Sequence, residues 1–150
     1  MKDKKALHTF TKRLLDFMFC SGILVCILVP FLINWYAQRE PLLQNIRLPL
    51  IAVLLVSGTI ALYIIWELRK IFKTLIHSNP FIEENANALR RIASASFVIS
   101  AAYFSKCFFW FTLATVIIVI IFAILGLFCL VLADVFQQAV EYKEENDLTV

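Results

Sequence analysis

The side chains of this 150-residue sequence that could bind a metal, exchange thiols or move protons are few: 4 Cys, 2 His, and the charged residues that interrupt its apolar stretches. Cys20, Cys26, Cys107 and Cys129 contain no CxxC pair, and His8 and His77 stand alone in separate segments. Neither a zinc-ligand spacing nor a thiol redox motif is present. Cys20, Cys26 and Cys129 lie in apolar runs that disfavour a thiolate, so they read as small hydrophobes. Asp16, Glu67, Lys106 and Asp134 each fall within a turn or two of an expected helix end, where their charged heads are expected to reach water. None sits at a membrane midplane, where a proton relay or ion site needs one. The sequence also lacks a Gly-rich phosphate loop, HExxH and GxSxG. The expectation is a protein that is not an enzyme and has no cofactor and no metal site.

Composition dictates the elements that carry these residues. The chain is 61% hydrophobic and 17% charged, against roughly 45–50% and about 25% for a soluble domain. That excess excludes a soluble enzyme, a secreted disulfide scaffold and a disordered tail, and calls for lipid. Leu14 to Tyr36 is broken only by Asp16 and Asn34, and Leu48 to Leu68 only by Glu67 near its end. Each is long enough to cross a hydrocarbon core of roughly 30 Å. Ile92 to Ala133 holds a single charge, Lys106, and as one straight helix would reach about 63 Å. It must therefore turn back. The turn is placed between Ser105 and Thr112, with Lys106 snorkelling outward and Phe108, Phe109, Trp110 and Phe111 near the interface.

The fold class expected is all-α: an integral membrane bundle of four transmembrane helices forming a single domain over residues 1–150. The helices are expected at about 14–36, 48–77, 80–106 and 111–145. Of the 14 Lys and Arg, all but Arg39, Arg47 and Lys106 fall in the N-terminal tail, the connection between the second and third helices, or the C-terminal tail. The positive-inside rule then places both termini and that connection in the cytosol. Gly22, Gly58 and Gly126 inside the helices, and Ala93, Ser96 and Ser100 at helical spacing, read as close-packing positions.

The connection after the second helix is patterned. Leu68, Ile71, Phe72, Leu75 and Ile76 continue a helical apolar stripe, with Arg69, Lys70, Lys73 and His77 between them. Asn79 and Pro80 are suited to cap and open the next helix, Glu83 and Glu84 complement its positive end, and Arg90 and Arg91 mark membrane entry. The fourth helix is expected to overrun through Phe136 and Val140 into a mostly acidic tail, 141–150. The basic connection and the acidic tail lie on one side. They either pair within the bundle base or form a docking surface.

The runs Asn79-Pro80-Phe81-Ile82-Glu83-Glu84-Asn85, Ala88-Leu89-Arg90-Arg91-Ile92-Ala93 and Glu144-Glu145-Asn146-Asp147-Leu148-Thr149-Val150 resemble the signature stretches of a bacterial four-helix membrane family called domain of unknown function 2975. The resemblance implies no enzymatic activity. Its members resemble partners of small helix-turn-helix transcription regulators, which implies a membrane anchor or sequestering device. The function expected on that footing is a regulatory protein of the bacterial cytoplasmic membrane whose cytosolic face binds a soluble partner through Asn79, Pro80, Phe81, Glu83, Glu84, Arg90, Arg91, Glu144, Glu145, Asn146 and Asp147. Membrane lipid and further copies of the chain are the other partners considered, and direct nucleic-acid binding is not expected. The alternatives are an oligomeric channel or exporter lined by Ser57, Thr59, Ser96, Ser100 and Thr115, and an immunity or stress protein facing outward through Ala37 to Arg47.

Overall fold

The computed structural model describes residues 2–76 and 81–148, and all of the regular structure there is helical. The helices are α1 (Lys2–Ala37), a short α2 (Pro41–Gln44), α3 (Arg47–Ile76), α4 (Glu83–Lys106) and α5 (Leu113–Leu148). Three of the four long helices are long and apolar enough to cross a membrane: α1 over Thr9–Ala37, α3 over Arg47–Leu75 and α5 over Leu113–Asn146. Phe17, Leu24, Ile27 and Phe31 of α1 and Ile117, Ile121, Ile124 and Phe128 of α5 are exposed on the protein surface. Contiguous apolar faces of that size need lipid against them.

The long helices pack in series, α1 on α3, α3 on α4 and α4 on α5. Asp16 meets Arg69, Phe19 meets Trp66, and Cys26 meets Gly58. As one number rises the other falls in step, so α1 and α3 are antiparallel. The same holds for α3 and α4 through Thr74 with Asn85 and Glu67 with Arg91. Arg90 with Asp134, Phe97 with Gly126 and Ser100 with Val119 give it for α4 and α5.

α4 is the central element and supplies most of the core. Ala88, Leu89, Ile92, Ala93, Ala95 and Ile99 are buried against Ile64 and Ile71 of α3 and Cys129 and Ala133 of α5. Its small residues explain that place. Ser96 is fully buried, and Ser100 donates from Oγ across to the Val119 carbonyl (3.0 Å), as hydroxyls do where transmembrane helices approach closely.

Two helix starts differ from the sequence expectation. α1 begins at Lys2 rather than near Leu14, because Lys2 to Arg13 holds neither Gly nor Pro and propagates the helix. Asn79 and Pro80 lie outside the described residues, and α4 opens at Glu83 rather than at Pro80. The cause is tertiary. The Phe81 ring lies 5.5 Å from that of Phe136, Ile82 takes extended backbone (φ −133°, ψ 148°), and the Asn85 N–H closes the first turn on the Ile82 carbonyl at 3.0 Å. Glu83 and Glu84 still occupy that first turn, beside the positive helix end.

The turn between α4 and α5 spans 107–112. The Thr112 hydroxyl accepts from the Thr115 N–H (3.3 Å), an N-cap arrangement. Lys106 is half-buried, and its Nζ donates to Thr115 Oγ1 at 3.0 Å in the first turn of α5.

Candidate functional site

Four ion pairs, built on three carboxylates, stand at one height across the four long helices. Arg69 Nη2 of α3 is 2.6 Å from Asp16 Oδ1 of α1, and its guanidinium also lies over the rings of Phe19 (5.1 Å) and Trp66 (5.7 Å). Arg91 Nη2 of α4 donates to Glu67 Oε2 of α3 at 2.9 Å, while Lys70 Nζ donates to Glu67 Oε1 at 3.1 Å. Arg90 Nη2 of α4 reaches Asp134 Oδ1 of α5 at 3.5 Å. The antiparallel register produces this belt, since each helix contributes its charged residues about the same distance from its own end.

Glu67 is the residue that sequence reasoning misjudged. Its head was expected to reach water, yet it is only 2% exposed, with each carboxylate oxygen taken by a different cation. A carboxylate so buried stays charged only because it is paired and hydrogen-bonded. The sequence does carry one signal for this, the Glu67–Lys70 spacing of three. The decisive partner, Arg91, comes from another helix.

Beyond the belt, α3 and α4 bound a cleft of about 530 Å³ lined by Lys70, Lys73, Thr74, Glu84 and Asn85. The buried Asn85 donates from Nδ2 to Thr74 Oγ1 at 2.7 Å and fixes the cleft floor. On the other side of the belt, the same two helices bound a groove of about 630 Å³ that Arg90 and Arg91 close at one end.

The structure disperses the residues expected to bind a partner. Glu83 and Glu84 are exposed at the start of α4, and Phe81 is half-exposed with its ring on Phe136. Arg90 and Arg91 are turned into the belt. Glu144, Glu145 and Asn146 are exposed on the last turns of α5, Asp147 belongs to the same helix, and Asn79 and Pro80 lie outside the described residues. Because α4 and α5 are antiparallel and Arg90 meets Asp134, Glu83 stands level with about Glu141, and the Glu144–Glu145 pair lies about 5 Å, one helical turn, farther along α5. The two acidic stretches therefore stand one turn apart along one projecting edge.

The hydroxyls considered as a pore lining are taken up in packing. Ser57 and Ser96 donate to carbonyls of their own helices, those of Leu54 (3.1 Å) and Ile92 (2.8 Å). Thr59 bonds back within α3, Ser100 bridges to α5, and Thr115 accepts from Lys106. Among the described residues, no group of three His, Cys, Asp or Glu is placed to hold a metal ion.

Comparison with known proteins gives one match. The model of a family described as Protein of unknown function (DUF2975) covers residues 31–150, which takes in the end of α1 and all that follows. No curated protein and no solved structure matches the chain.

Proposed function

The chain belongs to the family described as Protein of unknown function (DUF2975), and we propose that it is a four-span protein of the bacterial cytoplasmic membrane whose cytosolic face holds a soluble protein partner. Heights measured from the charged belt support the fourth span. From Asp16 to Trp35, from Glu67 back to Leu48 and from Asp134 back to Leu113, each helix rises about 28–32 Å, the thickness of a hydrocarbon core of roughly 30 Å. α4 packs along both α3 and α5 over the same height. From Arg91 to Lys106 it rises about 22 Å, and the aromatic turn Phe108 to Phe111 covers the remainder. A central helix shielded by neighbours on two sides needs less apolar surface than its flanking helices, which accounts for its composition.

The Lys and Arg excess at the belt end supports a cytosolic position for that end. The reading predicts opposite accessibility for two single cysteines placed in a chain whose four native cysteines are replaced by Ala. Phe108→Cys should react with a membrane-impermeant maleimide on intact cells, and Glu144→Cys only after permeabilisation. Labelling of both from the same face would refute the fourth span.

The observation that carries the partner role is the asymmetry of the two ends. At the far end, α4 and α5 are joined by a short turn. At the belt end, α5 runs on as helix from Asp134 to Leu148, about 21 Å past the belt, with 141–146 exposed. A helix that continues into water with an acidic, unburied face is suited to grip another protein. The partner class suggested is a small helix-turn-helix transcription regulator held away from DNA. In-cell crosslinking of the tagged protein, followed by mass spectrometry, should recover such a regulator. A Glu144→Lys/Glu145→Lys variant that inserts normally should lower recovery about ten-fold or more. Recovery of the chain's own copies alone, or equal recovery with the variant, would overturn the reading.

A further inference from the structure

We propose that the groove between α3 and α4 is a binding site for one anionic phospholipid, its phosphate held at Arg90 and Arg91 and one acyl chain lying along Ile60, Ala95 and Val98. The groove measures about 630 Å³, within the usual range of ligand sites, roughly 300–1,000 Å³. Its polarity is divided along its length. Asn87, Arg90, Arg91 and Ser94 line it at the belt, with Tyr63 facing them from α3, whereas Ile60, Ala95 and Val98, with Thr59 whose hydroxyl is turned back onto the Leu55 and Val56 carbonyls, line the part that runs toward the centre of the helices. A headgroup at an interface joined to a chain in hydrocarbon has that same division, and basic pockets between transmembrane helices suit anionic headgroups.

Three observations select an anion. The belt has four cations, Arg69, Lys70, Arg90 and Arg91, for three carboxylates, Asp16, Glu67 and Asp134, so one positive charge is left over. Arg91 uses only Nη2 on Glu67, and its side chain is still 41% exposed where it lines the groove. Arg90 is tied to Asp134 only at 3.5 Å between side chains 48% and 69% exposed, a contact weak enough to re-aim its guanidinium. The acids near the groove are already matched or stand back from it: both oxygens of Glu67 are engaged by Lys70 and Arg91, Asp134 is paired with Arg90, and Glu84, the other acid acting on Arg91, lies beyond the belt on the water side. A zwitterionic headgroup would bring its own cation against two arginines, which disfavours it.

The site is independent of any cytosolic partner and rests only on membrane placement of α3 and α4, which the cysteine accessibility above tests separately. The protein in nanodiscs of equal phosphatidylcholine and phosphatidylglycerol, released into mild detergent and weighed by native mass spectrometry, should retain one phosphatidylglycerol per chain, favoured about ten-fold over phosphatidylcholine. Arg90→Gln should reduce retention at the phosphate end, and Val98→Trp, which fills the apolar end from an exposed position, should reduce it about five-fold or more. Unchanged circular dichroism would show that both variants stay folded. Equal retention of the two lipids overturns the proposal. So does displacement of the lipid by millimolar inorganic phosphate combined with wild-type behaviour of Val98→Trp, since that result would assign the arginines to a free phosphate.

Discussion

Arg91→Leu, with Glu67 left in place, is expected to cost about 1–3 kcal/mol of stability, because it removes the partner of one oxygen of a carboxylate that is only 2% exposed. Lys70 still holds the other oxygen of Glu67, which keeps the cost below that of a buried charge left wholly unpaired. Lys70→Leu should cost far less. Lys70 and Arg91 are almost equally exposed (42% and 41%), but Lys70 lies on the same helix as Glu67, and pairs spaced along one helix contribute about 0.3–0.5 kcal/mol. The two substitutions differ in what they sever, because only Arg91 joins α3 to α4. Glu67→Leu/Arg91→Leu together should return stability to the wild-type value or above it, as apolar replacement of whole buried pairs often does. Denaturant titration in mild detergent, followed by circular dichroism, would rank the variants. A loss for Lys70→Leu equal to that for Arg91→Leu would refute an interhelical role for the pair.

That pair marks the boundary of what could be read from the sequence. Apolar run length located the helices that become α1, α3 and α5, and the length of Ile92 to Ala133 forced a turn whose position falls within the expected window. The periodicity of Leu68, Ile71 and Leu75 correctly continued α3, since Ile71 is buried and its two neighbours pack against the same core. Periodicity describes one helix at a time, however. Whether Glu67 meets Arg91 or water depends on the vertical register of two helices, and register is set by how the intervening chain turns and packs. Phe81 against Phe136 is such a packing contact, and it delayed the start of α4 beyond the point that Asn79 and Pro80 suggested. The turn before α5 offered the opposite case. It lacks Gly and Pro, but Thr112 followed three residues later by Thr115 was a local capping signal present in the sequence.

Register also governs the second large expected effect. Gly126 is the point on α5 nearest to Phe97 of α4: a Cβ there would stand 2.9 Å from both Cε1 and Cζ of the ring and 3.1 Å from Cδ1. The three atoms belong to one rigid ring, so either the Phe97 ring swings about its side-chain torsions or the helices separate. Gly126→Ala is expected to cost about 1–3 kcal/mol by overpacking, and Gly126→Leu more. Because the clash has one identifiable source, Phe97→Leu should recover part of the loss when combined with Gly126→Ala, although it opens space when made alone. The two residues touch, so their effects should fail to add. A thermal-unfolding cycle of the four proteins in detergent tests this, and simple additivity would show that the α4–α5 contact is looser than the geometry states. The same contact sets how far α5 projects past the start of α4. A shift at Gly126 would therefore displace the Glu144–Glu145 edge relative to Glu83 and Glu84. If that edge grips a partner, Gly126→Ala should weaken capture while every residue of the edge remains unchanged.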